Sequence, residues 1–117
     1  MLHVYGIKNC NTVKKALDWL DEHQLNYTFH DFKKEPATVK KLQEWEKNVD
    51  WTTLLNKKGT TWRKLSPEAQ SQVLDAPSAN TVLAENNSMI KRPVIEVNSG
   101  AILVGFDEEL YLSTLLK

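Results

Sequence analysis

A helical repeat between two short strands, near the start of the chain, constrains the fold more than any other feature of the sequence. Apolar residues recur at helical spacing on one face of a segment that ends near His23: Val13, Ala16, Leu17 and Leu20. Residues 2–5 form an apolar run that ends at Gly6, and residues 27–32 alternate aromatic and polar side chains, so both segments are typical of strands. A strand, a helix and a strand at this spacing predict a right-handed parallel crossover.

The middle of the chain, roughly residues 36–88, reads as a helical block. Its helix signals are a capped helix over 38–48, a short turn over 50–55, a helix from Ser66 to about Asp75, and a helix capped by Ser78 that runs to about Glu85. After this block, residues 93–97 and 101–104 are predicted to form strands joined by a tight turn. Asp107 then caps a last helix, and three leucines are predicted to face inward from it: Leu112, Leu115 and Leu116.

This order of elements predicts an α/β, thioredoxin-like fold. About four strands would form a mixed sheet, with the helical insertion between strands 2 and 3. The length of 117 residues suits a single domain over 1–117.

Charge and hydropathy exclude several classes of function. Fifteen basic residues balance fifteen acidic ones, so no global field draws the chain to DNA or to an anionic membrane, and no direct DNA binding is expected. No apolar run approaches the roughly 18 to 20 residues that span a bilayer. The first residues also lack the order of a signal peptide, and we expect a cytoplasmic protein without membrane contact.

Cys10 is the strongest candidate for chemistry. It is the single cysteine, so an intramolecular disulfide and a cysteine-pair zinc site are both excluded, and the three histidines lack metal-ligand spacing, so no metal site is expected. Cys10 lies between the first strand and the first helix, where unpaired N–H groups and the helix dipole favour a thiolate and an anionic substrate. A lone cysteine is often a small buried hydrophobe, but the polar neighbours Asn9 and Asn11 favour the reactive interpretation.

The two arginines are candidate anion-binding residues. Arg92 precedes a predicted strand in an Arg-Pro pair, which favours an extended backbone and leaves the isomer of the bond open. Arg92 could equally lie in solvent or pair with Glu96. Arg63 could form an anion patch with Lys57 and Lys58, although solvated charge is the commoner outcome for such a loop.

Four segments of the sequence resemble the arsenate-reductase-like (ArsC/Spx) family. They are Tyr-Gly-Ile-Lys-Asn-Cys-Asn-Thr-Val-Lys-Lys-Ala, Phe-His-Asp-Phe-Lys-Lys, Leu-Leu-Asn-Lys-Lys-Gly-Thr-Thr-Trp-Arg-Lys-Leu and Ile-Lys-Arg-Pro-Val-Ile-Glu. The resemblance covers nearly the whole chain and points to the YffB branch, beside glutaredoxin-coupled arsenate reductases and Spx regulators. It implies a thioredoxin fold with a helical insertion, a nucleophile at Cys10, and an arginine before a cis-proline at Arg92 and Pro93.

The sequence departs from this family at three positions. The resemblance implies three arginines around the oxyanion of an arsenate reductase, but Asn56 and Gly105 stand where two of them would be. Efficient arsenate reduction is therefore not expected. Val13 occupies the second cysteine position of the Cys-x-x-Cys switch found in Spx regulators, which excludes an intramolecular disulfide switch.

Together these features predict a monothiol reductase, an enzyme whose Cys10 thiolate attacks an oxidised or electrophilic substrate. Because the chain has no second thiol, glutathione or a glutaredoxin would release the product, and glutathione would be a co-substrate rather than a bound cofactor. Arg92 would be the second catalytic residue, holding a carboxylate or oxyanion beside the thiolate. The predicted substrate-binding residues are Lys8, Asn9, Asn11, Thr12, Arg63 and Pro93. The alternative is a non-enzymatic, Spx-like regulator that binds RNA polymerase or another protein through the helical insertion.

Overall fold

The computed structural model describes residues 2–116, and the chain divides into two compact units. Glu35–Lys91 form the second unit, and the described residues on either side of this segment form the first. The helical insertion predicted over roughly 36–88 falls within Glu35–Lys91. A single domain over 1–117 stays a prediction.

The first unit is built on a mixed sheet. The described residues contribute four strands to it: β1 (Leu2–Gly6), β2 (Tyr27–Asp31), β3 (Val94–Glu96) and β4 (Ile102–Val104). The strand order is β2-β1-β3-β4; β1 runs parallel to β2 and antiparallel to β3, which pairs antiparallel with β4. The α/β, thioredoxin-like fold with a helical block between strands 2 and 3 is confirmed.

The core of the first unit joins one face of this sheet to α1 (Asn11–Glu22) and α7 (Glu108–Leu115). Leu2 and Val4 are buried while the residues between and after them are half-buried, because successive side chains of a strand point to opposite faces. The buried residues of this cluster are Leu2, Val4, Ala16, Trp19, Leu20, Ile95, Leu103 and Tyr111. The predicted apolar face of α1 is therefore correct, and Trp19 extends it.

The last helix buries a different residue from those predicted. Leu112 and Leu116 are 47% and 41% exposed, so the expectation that they face inward is wrong, whereas Leu115 packs partly against the core. Tyr111 is fully buried in their place. Its ring meets two aromatic rings edge-on: Trp19 and Phe106. A tyrosine can fill this position because its hydroxyl finds a buried partner, the carbonyl of Gly105.

The second unit is helical. Its elements are α2 (Val39–Trp45), α3 (Trp51–Leu54), α4 (Thr60–Arg63), α5 (Pro67–Ser71), α6 (Ala76–Glu85) and a 3₁₀ turn at Asn87–Met89. The backbone of Leu55 forms an isolated β-bridge with that of Ile90. Among the described helices, none combines the length and the apolar character needed to cross a bilayer.

Three boundaries in this unit differ from the prediction. The helix predicted over 38–48 ends at Trp45. The helix that starts after Ser66 ends at Ser71 rather than near Asp75. The next helix is capped by Asp75, not by Ser78, because the Asp75 carboxylate accepts a hydrogen bond from the Ser78 N–H at 3.0 Å. The Ser78 hydroxyl accepts one from the Asp75 N–H at 3.1 Å in return. The two residues thus form a capping box, in which Ser78 is the third helical residue.

Candidate active site

Cys10 is the N-cap residue of α1. Its backbone is extended (φ −129°, ψ 123°), and its carbonyl accepts a hydrogen bond from the Lys14 N–H at 3.0 Å. The residue is half-buried, and within the described chain its side chain makes no capping hydrogen bond. The sulfur therefore lies at a helix start whose first N–H groups are not satisfied by their N-cap side chain. The positive end of the helix dipole at this point favours an anionic ligand.

Close packing between β1 and α1 fixes the short loop that carries Cys10. A Cβ atom at Gly6 would lie 2.9 Å from Cγ2 of Val13, which real contacts essentially never allow. Val13 is fully buried in the first turn of α1. The residue that replaces the second cysteine of a Cys-x-x-Cys motif is thus a packing residue, and it requires glycine at the end of β1.

Arg92 and Pro93 lie at the same end of the sheet as this loop. Tyr5 pairs with Val94 across β1 and β3, so the chain leaving β1 and the Arg92–Pro93 pair entering β3 meet at one end of the two strands. The peptide bond between Arg92 and Pro93 is cis, as the resemblance implies. Pro93 is buried and Arg92 is half-buried.

The other predicted binding residues fall in two places. Four of them are exposed on the loop around Cys10 or in the first turn of α1: Lys8, Asn9, Asn11 and Thr12. Arg63 is exposed in the last turn of α4, within the second unit. Its contribution to substrate binding stays a prediction.

Sequence reasoning missed a chain of hydrogen bonds behind the cis-proline. The Tyr111 hydroxyl donates to the Gly105 carbonyl at 2.6 Å, and the Gly105 N–H donates to the Pro93 carbonyl at 2.8 Å. Burial, with a smaller contribution from Asp107, raises the pKa of Tyr111, so its hydroxyl stays a donor. The α7 helix thereby supports the backbone beside Arg92.

The backbone at position 105 suits glycine, where the resemblance implies an arginine. Its φ of +79° lies in the left-handed region, which glycine adopts without strain. An arginine in the same backbone conformation would cost roughly 1 to 2 kcal/mol. Asn56 is the other such position. Its side-chain oxygen accepts a hydrogen bond from the Lys58 N–H at 3.1 Å and so stabilises the local turn. Both residues, at which the resemblance implies arginines, are therefore fitted to their local backbone.

We expect Tyr111→Phe to lower the free energy of unfolding by about 1 to 3 kcal/mol, because the substitution leaves a buried carbonyl without this donor. Urea unfolding followed by circular dichroism measures the loss. Tyr27→Phe is the matched control, since the Tyr27 hydroxyl interacts with Asp21 at a half-buried position and should matter less. A Tyr111→Phe protein as stable as the wild type would show that this hydrogen bond does not hold α7 to Gly105.

The opposite face of the sheet carries a polar cluster that the sequence pattern did not reveal. Nδ1 of His3 lies 2.9 Å from Nε2 of His30, and the Tyr5 ring stacks on His30 with 4.5 Å between centres. The Tyr5 hydroxyl donates to Glu96 at 3.1 Å. The strand register, which pairs Tyr5 with His30, is the signal that would have found this cluster. Across residues 2–116, no group of three or more histidine, cysteine, aspartate or glutamate side chains is placed to hold a metal ion.

Comparison with known proteins gives one family and several relatives. The model of the ArsC family matches residues 5–114. The solved structure of the YFFB protein is 43% identical in sequence and superposes with a TM-score of 0.92. The match covers 98% of this chain and 99% of the YFFB chain. The solution structure of an arsenate reductase (ArsC) related protein from Brucella melitensis is 45% identical, with a TM-score of 0.75. The match covers 97% of this chain and 92% of the Brucella chain. A more distant relative is the global transcriptional regulator Spx of Staphylococcus aureus, 23% identical over 111 residues, which are 93% of this chain and 82% of that protein.

Proposed function

This chain belongs to the ArsC family, and we propose from that premise that it is a monothiol reductase whose electrons come from glutathione, directly or through a glutaredoxin. The observation that carries the proposal is the position of Cys10, at the N-cap of a twelve-residue helix and at the end of the sheet where Arg92 enters β3. Cys10 is half-buried rather than enclosed in the core, which supports access by a substrate. We place the protein in the cytoplasm, where glutathione keeps thiols reduced.

The reaction follows from a single thiol. The Cys10 thiolate attacks the glutathione sulfur of a mixed disulfide between a substrate thiol and glutathione, and the substrate leaves as its thiolate and takes up a proton. Cys10 is then joined to glutathione by a disulfide. The thiolate of a second glutathione attacks the glutathione sulfur of that disulfide, which releases oxidised glutathione and restores the Cys10 thiolate. The substrate sulfur is reduced to a thiol and the incoming glutathione thiol is oxidised. The second sulfur of the oxidised glutathione comes from the original mixed disulfide.

The surroundings of Cys10 support the binding of an anionic substrate. Glutathione carries carboxylates, and the Arg92 guanidinium can grip one of them with two parallel hydrogen bonds. The N–H groups of Asn11 and Thr12, at the start of α1, add donors with the polarity of the helix dipole. Lys8 contributes positive charge from the exposed loop.

We expect glutathione-linked turnover of glutathionylated peptides and small disulfides, and weak or absent turnover of arsenate. An arsenate dianion that leaves water needs several charge-assisted partners, and Asn56 and Gly105 supply none of the expected guanidinium groups. A coupled assay that follows oxidised glutathione, with glutathione reductase and NADPH, measures all three substrates. Arsenate turnover as fast as that of a glutathionylated peptide would contradict this specificity.

A second candidate is a regulator that binds RNA polymerase or another protein without catalysis. The relation to the S. aureus regulator Spx favours it, and the helical second unit offers a surface on which Leu74 is 75% exposed. The two candidates differ in what they require of Cys10. Capture of RNA polymerase by the Cys10→Ser protein as well as by the wild type, together with no turnover in the screen above, would favour the regulator.

A further inference from the structure

A half-buried acid and a buried amide meet inside the second unit. Glu46 is the C-cap residue of α2, and Asn80 lies within α6 and is only 2% exposed. Asn80 Nδ2 donates a hydrogen bond to Oε1 of Glu46 at 2.9 Å. Trp45 and Ala79, the residues beside them in sequence, are both buried. The pair therefore links the end of α2 to α6 in an apolar setting.

The remaining oxygen of each group is buried without a hydrogen-bond partner among the described residues: Glu46 Oε2 and Asn80 Oδ1. An ionised Glu46 makes both of these atoms acceptors, and two acceptors cannot satisfy each other. A protonated carboxyl, in contrast, carries one O–H donor. A single proton on Glu46 Oε2 would give both atoms a partner if it were donated to Asn80 Oδ1. The two atoms belong to the two planar groups that the first hydrogen bond already joins.

We propose that Glu46 is held as a neutral carboxylic acid that donates a hydrogen bond to Asn80 Oδ1, and that this proton-dependent acid–amide pair clamps α2 to α6. The clamp has two hydrogen bonds while the proton is present. When the proton leaves, the clamp has one hydrogen bond and Glu46 carries a negative charge at a half-buried position. The second unit thus contains a pH-sensitive contact between two of its helices.

Burial and one neighbouring carboxylate support the neutral form. Burial is the main cause that raises the pKa of Glu46, the hydrogen bond from Asn80 opposes the rise, and the negative charge of Asp50 at the N-cap of α3 adds to it. On α2, Lys41 forms an ion pair with Glu44 at 3.7 Å. The other charged residues next to or on these helices are Lys40, Lys47, Asp75 and Glu85.

The direction of the pH dependence follows from this raised pKa. In the unfolded chain Glu46 ionises near the ordinary glutamate value of about 4.3, whereas the folded chain retains the proton to higher pH. The stabilisation is therefore fully present below that unfolded value and is lost as the pH rises through the folded-state pKa. The contact between α2 and α6 is tighter in acid than in alkaline solution.

Glu46→Gln tests the proposal because a glutamine amide reproduces the neutral acid without a titratable proton. Its Nε2 can donate to Asn80 Oδ1 while its oxygen accepts from Asn80 Nδ2. We expect the difference in unfolding midpoint between Glu46→Gln and wild type to shift in favour of the variant as the pH rises from about 4 to about 8. Glu44→Gln is the matched control, since the Glu44 side chain is 49% exposed on the same helix and should leave the pH dependence of the wild type unchanged.

A titration of the wild-type protein provides a second measurement that does not depend on how well a variant folds. The side-chain carboxyl ¹³C resonance of Glu46 is expected to move only above the ordinary glutamate range, which lies near pH 4.3. Movement of that resonance at or below this pH would overturn the proposal. A midpoint difference between Glu46→Gln and wild type that stays constant over the same pH interval would overturn it as well.

Discussion

Cys10→Ser is expected to reduce glutathione-linked turnover to the uncatalysed rate. A serine hydroxyl is a weak nucleophile without an activating base, and this chain has no other cysteine that could take over the attack. The coupled glutathione reductase assay measures the loss, with a glutathionylated peptide as substrate. Mass spectrometry of the oxidised wild type should also show one glutathione per chain, and none on the variant.

The position of Cys10 makes this substitution a sharp test. Serine is a better N-cap residue than cysteine, because its hydroxyl accepts hydrogen bonds from the first N–H groups of the helix. Cys10→Ser should therefore fold at least as well as the wild type, and a loss of activity cannot be attributed to unfolding. Cys10→Ala, which offers no cap, should be equally inactive. Turnover that survives in either variant would remove Cys10 as the nucleophile and exclude the proposed reaction.

The pattern of apolar residues along the sequence predicted the elements that bury one clear apolar face. The apolar stripe predicted α1 and the apolar run over residues 2–5 predicted β1, so sequence alone was sufficient there. The prediction that leucines fill the inward face of the last helix was wrong for two of the three leucines. Tyr111 occupies that face, and its hydroxyl donates a hydrogen bond to the Gly105 carbonyl. That hydrogen bond depends on the loop before the helix, which no helical repeat encodes.

The same distinction applies to the candidate site. A thiol between a strand and a helix is visible in the sequence, so Cys10 could be placed at a helix N-terminus in advance. The support behind Pro93 could not, because it runs through backbone groups of Gly105 and Pro93 that carry no sequence signal. The pair of Glu46 with Asn80 could not either, because these residues are distant along the chain and of types usually found on the surface. Tertiary packing alone brings these polar groups together and determines which of them lack a partner.

Arg92→Lys is expected to lower turnover of a glutathionylated peptide by about ten-fold to a hundred-fold while the protein stays folded. A guanidinium offers a planar fork that binds a carboxylate through two hydrogen bonds, and a lysine ammonium keeps the charge but not that geometry. The loss of a charge-assisted contact of roughly 1.5 to 3 kcal/mol corresponds to this range of rates. The assay is the one used for Cys10, with circular dichroism to verify the fold.

Arg63→Lys is the matched control for Arg92→Lys, since Arg63 is the other arginine of the chain and lies exposed on α4 of the second unit. If Arg92 orients the substrate beside Cys10, the decrease in turnover should be clearly larger for Arg92→Lys than for Arg63→Lys. Unchanged turnover of Arg92→Lys would show that the anion is held by the helix N-terminus and not by this arginine, and the catalytic assignment would then rest on Cys10 alone.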